Sequence, residues 1–176
     1  LDQLYPRDTI SNPLALNLYV LGLNNVGNLT PLNVALKENL RTYLTNFRML
    51  TDAINIKAAH IVNIGVNFEV IPKPNFNSNE VILGCIDRLK TLLHIDRMQI
   101  NSTIDKSKLI AELDKVTGVQ SIPTISIFNK FTAGYSENVY DIELATKNNQ
   151  IYPSLDPMIF EVKFPDTDIK GRAIKP

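Results

Sequence analysis

Tryptophan is absent, cysteine occurs once, histidine twice and glycine seven times, and neither sign of charge prevails, with 18 Lys and Arg against 18 Asp and Glu. Each scarcity removes a class of chemistry. A single thiol, Cys85, can form neither an internal disulfide nor a thiolate metal site or redox pair within the chain. It falls on an apolar helical stripe, where cysteine behaves as a small buried hydrophobe, which suits a reducing compartment. The few glycines form no GxGxxG, GxxxxGK[ST] or GxSxG pattern, so phosphate cradles and nucleophile elbows lack their raw material. Balanced charge gives no long-range field toward a phosphate backbone or an anionic membrane, and neither nucleic acid nor membrane is expected as a partner. No run approaches the roughly 20 apolar residues of a membrane helix, and the opening "LDQLYPRD" has no basic region followed by an apolar one. The chain starts on Leu1 rather than Met, which reads as a piece of something longer.

What is present suffices for a core: 176 residues, 44% of them apolar. "PLALNLYVLGL" (13–23) alternates as a strand with Leu14, Leu16, Leu18 and Val20 on one face. Thr30 and Pro31 then predict the cap and first residue of a long helix, whose Leu32, Leu36, Leu40, Tyr43, Phe47 and Leu50 form a stripe laid on a core, with Lys37, Arg41, Thr45 and Arg48 opposite. "AHIVNIGVNFEVI" (59–71) alternates with Val62, Ile64, Val66, Phe68 and Val70 inward and Asn63, Asn67 and Glu69 outward. Asn77 with Glu80 opens a helix over 78–94, with Ile82, Cys85, Ile86, Leu89 and Leu93 inside. "RMQIN" reads as a short extended piece. Asp105 caps the next helix, Lys108 and Glu112 pair on its outside, and Gly118 ends it. "VQSIPTISIF" is a strand in which Pro123 calls for an edge or a bulge. Beyond Asn129 come short strands and turns, of which "MIFEVKF" is the clearest. The predicted fold is α+β, two helices on a mixed or antiparallel sheet, preceded by a strand and a long helix and followed by a turn-rich β segment. The seam is expected near 51–58.

Catalytic constellations are not found in the sequence, so no catalytic, metal-binding or cofactor-binding residue is assigned. His94 ends a helix on its polar side and reads as solvated or capping. "DTDIKG" (166–171) starts like a calcium loop but lacks the later oxygen ligands and the closing glutamate, so it reads as an exposed turn. Asp141 with Glu143, or Asp166 with Asp168, could serve a glycan-binding or hydrolytic module, and that alternative stays open. The notable feature is that Phe128, Phe131, Tyr135, Tyr140, Tyr152, Phe160 and Phe164, seven of the thirteen aromatic rings, lie in the last third among prolines. They either close a second small core or form a recognition surface, for which Phe131, Tyr135, Tyr140, Tyr152 and Phe160 are the candidates.

Two groups of segments carry a resemblance. "GVNFEV", "VILGCIDRLKTLL" and "SKLIAELDKVTGVQSI" together resemble the strand, helix, helix, strand signature of the baseplate J family of contractile-tail proteins. "NLRTYLTNFRMLTDAINI", "IVNIGVNFEV", "IDRMQIN", "NVYDIELATKNNQIYPSLDP" and "FEVKFPDTDIKGR" resemble the carboxyl-terminal part of the gene-six baseplate wedge (hinge-pin) family of T-even-type phages. The likeness covers nearly all of residues 30–172. It implies a non-enzymatic structural subunit of the virion tail baseplate, assembled in the host cytoplasm. It further implies pairing with its own copies into a ring, contact with the wedge products of genes seven, twenty-five and fifty-three, and no cofactor. On this reading 1–50 ends a preceding domain or forms a packed extension, 51–130 is the baseplate J-like core, and 131–176 is a β extension facing the assembly.

Overall fold

The computed structural model of the chain describes residues 15–47 and 53–174. The architecture is α+β and is organised by one strand. The elements run β1 (Ala15–Tyr19), β2 (Leu21–Leu23), β3 (Leu29–Pro31), α1 (Val34–Thr45), β4 (Ala53–Lys57), β5 (His60–Pro72), α2 (Ser78–Leu92), β6 (Ile104–Asp105), α3 (Lys106–Leu113) and β7 (Val119–Asn129). The remainder comprises α4 (Ile142–Ala145), β8 (Thr146–Lys147), β9 (Gln150–Ile151), β10 (Met158–Glu161), α5 (Pro165–Asp168) and β11 (Ile169–Ala173).

β5 is the centre of a mixed sheet. β7 runs antiparallel along one edge, from Ile64 opposite Asn129 to Pro72 opposite Val119. Along the other edge lie β10, parallel from Met158 opposite His60, and then β11, parallel from Ile169 opposite Val66. The hydrogen bonds fix these sides: the carbonyl of Asn63 accepts from Lys130 N on the β7 side, whereas His60 N donates to Pro157 O on the other. The alternation in β5 is realised, with Val62, Ile64, Val66, Phe68 and Val70 all buried. Val81, Cys85 and Leu89 of α2 and Leu109 and Leu113 of α3 cover that face, each at no more than 6% exposure. Burial pushes the Cys85 thiol up to about 11. Pro123 sits in a bulge on an edge strand: Ile122 and Pro123 together face Val70 between the Glu69–Thr124 and Ile71–Ser121 pairs.

Capping follows the sequence in two places and departs from it in two. Asn77 accepts from Asn79 N at 3.0 Å, and Asp105 accepts from Ser107 N and Lys108 N at 2.9 and 3.2 Å. The first helix, however, starts three residues later than expected. Its N-cap is Asn33, which takes Leu36 N at 2.8 Å, because Thr30 and Pro31 pair with Gly22 and Leu21 in a β2–β3 hairpin. Gly118 is not the C-cap of α3; Asp114 is, and Gly118 with φ +87° turns the chain into β7.

Other expectations are corrected as well. The strand at 13–23 breaks at Val20, so β1 pairs with β4 in parallel and β2 pairs with β3. Leu16 is 65% exposed. α1 buries none of its residues, so it is not laid on a core. "RMQIN" begins within a 3-10 turn, Ile95–Arg97. β11 follows where the sequence suggested only an exposed turn. Leu14, Arg48, Leu50 and the first part of the expected seam at 51–58 lie outside the described residues.

Lys108 does not pair with Glu112. Glu112 instead accepts from Arg88 of α2 and, at 2.5 Å, from Lys115, joining the two covering helices. The bonds from Lys115 and Arg88 hold its carboxyl down at about 2, against an ordinary 4.5. A folded-state pKa below the unfolded one adds stability that is complete above the unfolded value and fades as pH falls through the folded one. In acid titration followed by circular dichroism, the stability difference between the wild type and Glu112→Gln is expected to shrink from pH 4.5 to about 2 and then vanish; a difference independent of pH refutes the clamp. A second test concerns Gly171, where an added Cβ would enter the buried Phe68 ring. Gly171→Ala is expected to lower stability by about 1–3 kcal/mol through overpacking, read as a lower urea midpoint at unchanged slope.

Candidate functional site

The five aromatic candidates do not share one surface. Tyr140 and Phe160, at 2% and 1% exposure, meet edge to face at 5.9 Å inside the core, so neither ring offers area to a partner. Tyr140 donates its hydroxyl to Tyr152 O at 2.6 Å, and burial pushes that hydroxyl up to about 12. Tyr152 is half-buried and donates to Gln150 Oε1. Tyr135 is half-buried against Phe164, ring to ring at 5.4 Å. Only Phe131, 50% exposed, faces water. Tyr140 and Phe160 belong to the same buried cluster as Val62, Cys85 and Leu89, so they join the main core and close no second one.

Beneath these rings lies a polar network on the second face of β5. Asn63, 1% exposed, donates from Nδ2 to Glu161 Oε2 at 2.6 Å, and its Oδ1 accepts from Ser136 N at 2.6 Å. Glu161 Oε1 accepts from Leu29 N at 2.5 Å, which fastens the β2–β3 hairpin to the sheet. Asp168 is 1% exposed, which corrects the expectation of an exposed turn at 166–171. Its Oδ1 accepts from Lys130 Nζ and from Tyr135 OH, both at 2.6 Å, and its Oδ2 accepts from Phe164 N at 3.0 Å. The hydrogen bond to Asp168 holds the Lys130 ammonium above its ordinary 10.5. That contribution is complete below 10.5 and is lost only as pH rises further. This arrangement ties the 130–140 loop and α5 to the sheet.

Of the two carboxylate pairs considered for acid and base work, Asp166 and Asp168 are parted by burial. Asp141 caps α4 by accepting from Leu144 N at 3.0 Å, while Glu143 is exposed. Asp166 is on the surface with Lys90 Nζ at 2.7 Å, whereas Asp168 is buried. His94 caps the 3-10 turn and lies 3.2 Å from Asp96. Among the described residues no group of three or more His, Cys, Asp or Glu is placed to hold a metal ion, and no helix is long and apolar enough to cross a membrane.

A surface that the sequence reading did not single out lies toward the amino terminus. β1 and β4 form a two-stranded parallel ladder with α1 in the crossover between them, whereas parallel sheets are ordinarily covered on both faces. Leu36, Tyr43 and Phe47 are 51%, 61% and 72% exposed, with Tyr43 and Phe47 ring to ring at 5.0 Å. With Leu16 they leave a set of large apolar side chains in water, the kind of patch that marks an interaction site. The stripe itself was legible; that among the described residues none of it is buried is invisible to periodicity.

The chain matches no protein-family model, and a search among curated proteins gives no match. The buried pair allows a direct test. Lys130→Met leaves Asp168 charged and without its cation, with an expected cost of about 3–5 kcal/mol, and adding Asp168→Asn is expected to restore much of the loss. Urea melts of the two variants check this; equal losses in the single and double variants overturn it.

Proposed function

We propose that this chain is a structural subunit of a contractile-tail baseplate wedge, which associates with its own copies and connects other wedge proteins. Two things support the reading: the segment-level resemblance over 30–172, and an α+β body in which, among the described residues, a helix face is left apolar and exposed. The observation that carries it is the Leu36–Tyr43–Phe47 stripe of α1. A side chain such as Leu or Phe gains roughly 1.5–3 kcal/mol on passing fully from water to an apolar contact, so a stripe already half in water gains a fraction of that per residue. Several such residues on one stripe, repeated in two copies, make association favourable once the entropy of joining is met. Ring contacts of this kind need not be strong singly, because closure multiplies them.

In this reading the core serves as a rigid block and carries no reaction. The buried network around Asn63, Glu161 and Asp168 keeps the last third fixed to the sheet, so force applied to one surface reaches the other without the chain yielding between. Wedge partners, by resemblance the products of genes seven, twenty-five and fifty-three, then meet a body of constant shape while the contacts between bodies change.

Light scattering over a range of concentrations tests self-association. The expected mass rises from one chain toward two, and Tyr43→Ser with Phe47→Ser returns it to one chain without altering the circular dichroism spectrum. A strict monomer at high micromolar concentration, or a dimer indifferent to both substitutions, refutes the role given to α1.

A further inference from the structure

Between the β2–β3 hairpin and the carboxyl-terminal end of α2 the surface opens into a groove of about 710 Å³, within the usual range of binding sites. One wall is the hairpin turn, where Leu23 and Val26 stand 56% and 81% exposed. That wall is built rather than loose: Asn24 Oδ1 accepts from Val26 N at 2.9 Å and Asn28 N at 3.0 Å, and Gly27 takes the φ of +87° that closes the turn. Leu93 and Phe164 line the groove as well.

Glu161 also lines the groove, although it is only 4% exposed. Each carboxylate oxygen receives one neutral donor, Leu29 N or Asn63 Nδ2. A carboxylate offers about four acceptor positions, so two remain. No lysine, arginine or histidine pairs with it among the described residues, in contrast to Asp168, which has Lys130. A buried carboxylate without a cation is costly, and an entering cation recovers part of that cost through charge-assisted hydrogen bonds. The rim does not supply that cation: Lys90 is bonded to Asp166 at 2.7 Å, and Lys163 lies over the Phe164 ring at 5.7 Å from its centroid. His94 faces Asp96 at 3.2 Å, and apart from it three carboxylates, Asp96, Asp166 and Glu161, stand against these two lysines.

We propose that this groove docks a basic apolar segment of a partner protein, its lysine or arginine reaching Glu161 while flanking apolar side chains cover Leu23, Val26 and Phe164. The charge imbalance selects a cationic group, and the exposed walls select apolar neighbours around it. A chain that never self-associates can still take up such a segment, so this site and the wedge reading fail separately.

Fluorescence anisotropy with the full chain tests it, using LLKLL-amide carrying fluorescein on its amino terminus and the norleucine counterpart labelled in the same way, in which hydrogen replaces the ammonium. The expected result is saturable binding of the lysine peptide, with the norleucine peptide weaker on the order of tenfold, the effect of one hydrogen bond to a charged group. Glu161→Gln is expected to abolish that preference, and Val26→Asp to weaken both peptides. Absence of saturable binding, or equal affinity for the two peptides, overturns the proposal. Should Glu161→Gln fail to fold, the comparison of the two peptides on the unaltered chain decides.

Discussion

Strand β5 must be covered along the whole of one face and over the first part of the other, and most of the structure follows from how that is achieved. One face is apolar from Val62 to Val70 and disappears beneath α2 and α3. The other carries Asn63, which is buried and polar and therefore needs partners. Glu161 supplies one, is itself buried, and needs donors in turn; Leu29 N is among them. The position of the β2–β3 hairpin is thus the last link in a series of satisfied hydrogen bonds that starts inside the sheet. Farther along the same face the cover ends, and Asn67 and Glu69 share an open polar surface with Thr124, Ser126, Lys170 and Arg172.

This division alters where association is to be sought. The aromatic last third looked, as sequence, like a surface for other chains, yet most of its rings and the carboxylate of Asp168 are engaged within the molecule. Tyr140 and Phe160 fill the core, and Tyr135 is held by Asp168. Among the described residues, large apolar side chains stand in water on α1 and the hairpin turn as well as at Phe131, Leu144 and Leu155 of the last third, and α1 lies in the crossover of a parallel ladder of two strands, β1 and β4. Under the wedge reading, the last third makes the body stiff and the amino-terminal unit makes it adhesive.

Much of the fold was legible because its signals are local. The alternation of 60–70, the stripes of α2 and α3, the caps Asn77 and Asp105, and the bulge at Pro123 each follow from a handful of neighbouring residues. What escaped depends on pairing between segments. Thr30 and Pro31 have the chemistry of a helix start, but pairing with β2 claims them first. Asp168 in "DTDIKG" has the look of a solvated turn until Lys130, 38 residues earlier, is brought to it. Glu161 was the readable clue that passed unused, a carboxylate inside the otherwise apolar strand "MIFE" whose four residues are all buried.

The order of strands along the sheet also sets a clock on biosynthesis. β5 gains one neighbour from β7 but must wait for β10 and β11 to complete its other edge, and the Asn63–Glu161 bond spans 98 positions. At about 5–20 residues per second, translation leaves that edge unpaired for roughly 5–20 s. Pairing so remote in sequence is also slow to nucleate once the residues are available. During that interval the nascent chain presents an aliphatic strand with open amide and carbonyl groups, so its crowded neighbours on a polysome, identical to it, are the competitors its own last strands have to outrun.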